Sequence, residues 1–288
     1  MTEYLNNRFN LDDPETVAVL DDLPLWSAPF GLMLLEHVKM KPRMTVLDIG
    51  FGTGFPLLEL AQRLGDSSTV YGIDPWTAVH QRVKQKIKIF NIKNVKLVEG
   101  DAAAMEFEDN SFDLIVSNTG VNNFQDVPAV FRECYRVAKP GATIALTTNP
   151  KGHMDEFYEI LKETIHQLDM DYLTDKLNAH IDHRLTSETI FNLLHESGFA
   201  VSAVLPRSFT IPFATGSAFL NHALIRYGFM DAWKALFPKE ELNRVFTTLE
   251  ENLNSTAKEQ KGFSVTIPIA YIEGDKPHYN TKRLPNLI

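Results

Sequence analysis

Between residues 45 and 150, short apolar runs alternate with longer stretches in which apolar residues recur every three or four positions. Such alternation predicts buried parallel strands joined by amphipathic helices. The runs Val46–Ile49, Thr69–Asp74, Val95–Val98, Phe112–Ser117 and Ala142–Thr148 are read as the first five strands. Phe199–Leu205 and Phe263–Ile272 follow as the sixth and seventh, and Pro268 favours an edge or irregular position for part of the last. Helices are expected over Pro56–Leu64, Asp155–Leu168, from Thr186 to a stop at Gly198, and from Lys239 to about Ala257. Asp13-Pro14 opens a short helix and Ser27 is placed as the cap of one running from Pro29 to Val38. The fold class is therefore α/β: a seven-stranded, mostly parallel sheet with helices on both faces.

Roughly fifty residues, Phe213–Gly262, separate the last two strands. That is far more than a hairpin connection requires. They include Phe219, His222, Tyr227, Phe229, Trp233 and Phe237, an aromatic set suited to a helical lid over a substrate mouth or to an interface between two copies. The organisation that follows is a helical cap over residues 1–40, a sheet domain over 41–212 and 263–288, and a helical insertion over 213–262.

The most informative segment is Val46-Leu47-Asp48-Ile49-Gly50-Phe51-Gly52-Thr53-Gly54-Phe55. Glycines at alternate positions let the backbone turn tightly and approach a ligand, and the helix that follows directs free N–H groups the same way. A dinucleotide loop would need its third glycine one residue later, where Phe55 stands. Asp48 also sits badly beside a pyrophosphate and well beside a ligand whose near end carries an ammonium and a sulfonium. Asp74, at the end of the second strand and some twenty residues beyond the loop, suits the two hydroxyls of a ribose.

The glycine segment resembles the D-x-G-x-G-x-G pattern of class I S-adenosylmethionine-dependent methyltransferases, a Rossmann-like family, and the likeness spans about residues 44–150. It implies S-adenosylmethionine as cofactor, held by Asp48, Gly50, Phe51, Gly52, Gly54 and Asp74. It further implies an apolar contact to adenine from Pro75 and Trp76, an acid near the adenine amino group at Asp101 with Ala102 beside it, and a lining from Ser117 and Asn118. Lys139-Pro140-Gly141 before the fifth strand is a turn familiar from the same family. Asp101 equally suits the cap of the turn that starts at Ala102.

Composition narrows the partners. A net charge of −9 over 288 residues argues against nucleic acid, and the basic run Arg82–Lys93 reads as the solvated face of one helix. No apolar run is long enough to span a membrane, and the N-terminal residues lack a secretory h-region. The one cysteine, Cys134, lies in a helical pattern as a packed thiol and suits a reducing cytoplasm. With no second cysteine there is no thiol pair for zinc or for a thiophilic substrate, and no metal is expected.

The expected activity is direct, in-line methyl transfer to a small molecule. Trp26, Asn122, Asn123, Phe124, His222 and Tyr227 are the candidates for the acceptor, with Trp26 or Phe30 suited to pack near the cofactor's sulfonium. No catalytic residue is assigned; His153, after the fifth strand, is the best-placed titrating group, with His180, His183 and His222 as further options. Two other readings stay open: a protein that binds S-adenosylmethionine as a sensor or assembly partner without methylating, and an NAD-dependent oxidoreductase. A homodimer through 213–262 is a further expectation.

Overall fold

The computed structural model describes residues 2–6, 9–21 and 26–278. The strands are β1 Thr45–Ile49, β2 Thr69–Asp74, β3 Val95–Glu99, β4 Phe112–Asn118, β5 Ala138–Thr148, β6 Ala200–Phe213 and β7 Phe263–Asp275. They form one seven-stranded sheet in the order β3-β2-β1-β4-β5-β7-β6. The pairs β1–β2, β1–β4, β2–β3 and β4–β5 are parallel and β5–β7 is antiparallel, as expected for a mostly parallel sheet.

Two corrections concern strand ends. β6 runs well beyond the expected Leu205, through Pro206 and Pro212, because it is the edge strand and a missing N–H on its open side costs no ladder bond. β5 begins formally at Ala138, but its register jumps from Ala138 to Thr143, so Lys139-Pro140-Gly141 is a bulge and regular pairing starts near the expected Ala142. Pairing of β7 with β5 ends at Ala270, which leaves Pro268 beyond the ladder.

The helices are α1 Pro14–Asp21, α2 Ser27–His37, α3 Leu57–Leu64, α4 Thr77–Ile89, α5 Val127–Val137, α6 Asp155–Gln167, α7 Thr174–Asp182, α8 Ser187–Ser197, α9 Gly216–Asn221, α10 Ala223–Gly228, α11 Met230–Lys234 and α12 Leu242–Gln260. Ser27 is not a cap: Trp26 already has helical dihedrals and no side chain caps the end, so the helix starts two residues before Pro29. Asp13 and Thr186 do cap, their side chains accepting from the N–H of Thr16 and of Thr189. Arg82 and Lys86, expected on a solvated face, turn inward enough to pair with Asp21 at 2.8 and 2.5 Å.

The chain divides into two compact units. The sheet unit takes the described residues of Leu11–Thr148, Thr186–Pro206 and Ile269–Ile288, and the helical unit those of Met1–Asn10, Asn149–Leu185 and Arg207–Pro268. In the sheet unit, Val46, Leu47, Val70, Ile115, Val116, Ile144 and Ala145 are wholly enclosed, which is why their strands read as unbroken apolar runs. The core of the helical unit is aromatic: Phe157 stacks on Trp233 at 4.0 Å between ring centroids, and Phe219 and Phe229 pack on the same indole. Each such buried ring contributes about 1.5–3 kcal/mol. Gly216 lies against the backbone of α12 at Leu253, where a Cβ would come within 2.3 Å of the leucine Cβ, so α9 and α12 approach through a position only glycine fits.

Candidate functional site

The strand order reverses between β1 and β4, and the crevice beyond their carboxyl ends is where open α/β sheets bind ligands. Both lips of that crevice are identifiable. One is the turn after β1, where Gly50, Gly52 and Gly54 have φ of 74°, 51° and 104°. L-residues with side chains adopt such values at a cost, so the alternate glycines have a backbone reason. A Cβ on Gly52 would meet nothing within 4 Å, whereas one on Gly54 would press on Leu58 and Val83. The middle glycine therefore borders open space and the third packs the turn onto its helix.

The other lip is Asn118–Phe124. Ser117 Oγ donates to the Ile49 carbonyl at 2.8 Å and holds the two strand ends together. Asn118 donates to the Ser27 carbonyl at 3.1 Å and accepts from Thr147 Oγ1 at 2.8 Å, and Asn122 accepts from Thr148 Oγ1 at 2.6 Å. Thr119 is left-handed at φ 62°, a strained conformation for a β-branched residue held by its surroundings. Asn123 is exposed, and Phe124 is half-buried with its ring against Gly120.

Between the lips sit two carboxylates in unlike states. Asp74, 6 % exposed, accepts from the Gly52 N–H and from the Trp76 N–H, each at 2.8 Å. It thereby ties the glycine turn to the end of β2 and keeps further lone pairs for a ligand. Asp48 is wholly enclosed and neither of its oxygens has a hydrogen-bond partner among the described residues. Burial first, then the charge of Asp74, pushes its acid up to about 8, while the Leu57 N–H, short of hydrogen-bond geometry, pulls the other way. A buried, unpartnered acid is rare in a folded protein and calls for an explanation. Positive charge arriving from a ligand supplies one.

Other predicted residues fall around this centre. Phe51 is turned into the core against His80, at 4.9 Å between rings, so only its backbone faces the turn. Trp76 is half-buried with its Nε1 donating to the Leu11 carbonyl; Pro75 and Asp101 are exposed, Ala102 is enclosed, and Asp101 caps its own turn through the Ala103 N–H. Trp26 packs on Phe30 at 5.8 Å. Cys134 is sealed in α5, where burial raises its thiol, as expected of a packed cysteine.

His153, His222 and Tyr227 belong to the helical unit. His222 caps α10, its Nδ1 accepting from the Leu224 N–H, and Tyr227 packs edge-on against Phe9. His153 is enclosed between Tyr158 and Phe229, and burial together with Arg184, His183 and His180 lowers it to about 2.

Sequence reasoning missed several supports. His80 Nε2 lies 2.9 Å from the Asp74 carbonyl oxygen, and Lys86 Nζ donates to the Thr53 carbonyl of the glycine turn at 2.8 Å. Their i, i+6 spacing on α4 offered a weak signal at best. The Thr147 and Thr148 partners of the asparagines had none, since those pairs span nearly thirty residues. A separate cavity of about 300 Å³ at the amino ends of β1, β4 and β5, bordered by Lys39, Arg43, Asp113 and Lys139, is not part of this crevice.

Residues 47–146 match the family model described as a methyltransferase domain. A demethylmenaquinone methyltransferase of Geobacillus sp. (strain WCH70) is 34% identical over 110 residues, which are 38% of this chain and 47% of that protein. The chain spans about half the length of the curated relatives it matches. Among solved structures, a SAM-dependent methyltransferase from Aquifex aeolicus is similar over 67% of this chain and 92% of its own, with 23% identity and a TM-score of 0.52. The [4+2]-cyclase SpnF is similar over 86% of this chain and 80% of its own, at 15% identity and a TM-score of 0.53.

Proposed function

We propose that the class I methyltransferase domain to which residues 47–146 belong binds S-adenosylmethionine here and serves methyl transfer to a small-molecule acceptor. The observation that carries the reading is Asp48, a sealed acid with no hydrogen-bond partner among the described residues, next to a glycine turn that borders open space. An ammonium and a sulfonium supply the positive charge that lets this acid ionise, whereas a pyrophosphate would oppose its ionisation further. When bound, S-adenosylmethionine brings a methyl group already activated by its positive sulfur.

The chain's own residues then have positioning tasks. Gly50 and Gly52 admit the ligand to the backbone, Asp74 accepts from the ribose hydroxyls, and Asp101 and Ala102 border the adenine. Asn118, Asn122, Asn123 and Phe124 orient the acceptor beside Trp26, and alignment of this kind contributes as much as about 7–11 kcal/mol to lowering a barrier. His153 is given no proton transfer, because an imidazole lowered to about 2 is a poor base near neutral pH. The relatives named for demethylmenaquinone support a small organic acceptor. The acidic composition weighs against nucleic acid, and among the described residues no helix is long and apolar enough to cross a membrane. The sealed thiol of Cys134 supports a reducing compartment such as the cytoplasm.

The test is calorimetric titration with S-adenosylmethionine, S-adenosylhomocysteine and NAD in parallel. Micromolar binding of the first two and none of NAD is the expected result. Binding of NAD alone overturns the reading. A cofactor that binds yet is never consumed with any acceptor would leave a non-methylating protein, a live contrast since a cyclase shares the fold.

A further inference from the structure

The helical unit encloses basic and aromatic side chains that methyl transfer, as read above, leaves without a task. Arg184 follows α7, and its Nε is sealed from solvent with no hydrogen-bond partner among the described residues. Burial holds its guanidinium below the ordinary arginine range, and no carboxylate among the described residues acts on it; Tyr158 is the group that pulls the other way. Arg226 offers a contrast, since its Nε is equally sealed but its guanidinium lies over the Phe9 ring at 5.9 Å. No such ring covers Arg184 among the described residues.

Polar groups surround it. Tyr158 Oη lies 3.2 Å from His180 Nε2 and accepts from Trp233 Nε1 at 3.2 Å. The charge of Arg184 is felt at His153, Tyr158 and His180. Nearby acids are already engaged or outside: Asp182 pairs with Lys151 at 2.6 Å, and Asp155, which acts on Tyr158, is exposed. A half-buried guanidinium with a sealed Nε and no anion beside it among the described residues is costly, and its planar fork matches a carboxylate or phosphate in two parallel hydrogen bonds.

We infer that Arg184, with Tyr158 and His180 beside it, is a binding site for an oxyanion, a carboxylate or a phosphate, borne by a small ring-containing molecule. The rings of Phe229, Trp233 and His153 supply the apolar flank. Burial and neighbouring positive charge hold His153 and His180 below the ordinary imidazole range, the direction that an arriving negative charge reverses. The anion site stands on the helical unit alone and does not depend on the transfer reading.

Benzoate and phenyl phosphate, with benzyl alcohol as the uncharged control, test this on the full chain by following the His153 and His180 ring protons. The expected result is a saturable shift with at least one anion and none with the alcohol, and the stronger anion distinguishes carboxylate from phosphate. Arg184→Leu is expected to weaken that response about ten- to hundredfold and to melt no lower than the wild type. Arg184→Lys keeps the charge without the fork and is expected to bind about tenfold more weakly than the wild type. Silence toward both anions, an unchanged response in Arg184→Leu, or a large loss of melting temperature in that variant overturns the site. Cofactor titration of the same samples is read separately. A protein that binds the anions and not S-adenosylmethionine fails the transfer reading alone, and one that does the opposite fails the anion site alone.

Discussion

Asp48 makes stability depend on pH in an unusual sense. Its folded value of about 8 stands above the ordinary aspartate value of 3.8, so the folded chain holds a proton that the unfolded chain has released. The contribution is therefore complete below about pH 4 and is lost as pH rises through 8. A tenfold difference in proton affinity between the two states is worth about 1.4 kcal/mol. Without ligand, wild type is expected to lose melting temperature between pH 5 and 8.5, and Asp48→Asn to lose far less; parallel curves would sink the assignment. Gly52→Ala probes the neighbouring turn. Its Cβ meets no atom of the protein, and the left-handed backbone costs alanine about 1–2 kcal/mol. A slightly lower melting temperature and at least about tenfold weaker cofactor binding are expected, since a ligand in that space meets the methyl group. Calorimetry showing full affinity would place the ligand elsewhere. Asp48 and the glycines were legible in the sequence because type and spacing alone define such a turn. That Asp48 has no partner among the described residues was not, because it follows from what β2 and α3 bring around it.

At the scale of elements, Arg136 on α5 is the clearest fastener of the side proposed to take the cofactor. It donates to the carbonyls of Met105 and Phe107 and to Asp109 and Glu133, and so pins the segment between β3 and β4 that carries Asp101 and Ala102. Lysine cannot reach those acceptors together. Arg136→Lys is expected to cost about 2 kcal/mol of stability, with a few-fold loss of cofactor affinity, measured by denaturant titration and calorimetry. No change in either would mean that solvent satisfies the segment equally well. The inner strands β1, β4 and β5 could be placed from the sequence because enclosure on both faces demands apolar runs, and β3, an edge strand, because it is short and ends in a turn. β6 could not be followed past Leu205, since an exposed edge strand makes no such demand and its prolines look like terminators.

For the whole molecule, the helical unit draws on three separate stretches of chain, and residues 149–185 share it with 207–268. That association was not legible, because α6 and α12 are each ordinary amphipathic helices and nothing local says which faces meet. Deleting 213–262 would strip the cover from enclosed residues of α6 such as Phe157, Tyr158 and Leu161. The shortened chain is expected to aggregate and to lose near-ultraviolet dichroism. A soluble product with native dichroism would show the insertion to be dispensable.

The bond from Tyr4 to Glu250 spans 246 positions. At about 5–20 residues per second, a ribosome needs on the order of ten to fifty seconds to deliver the second partner after the first. Throughout that interval Tyr4 waits for its partner, a span in which it stays open to chaperones and proteases.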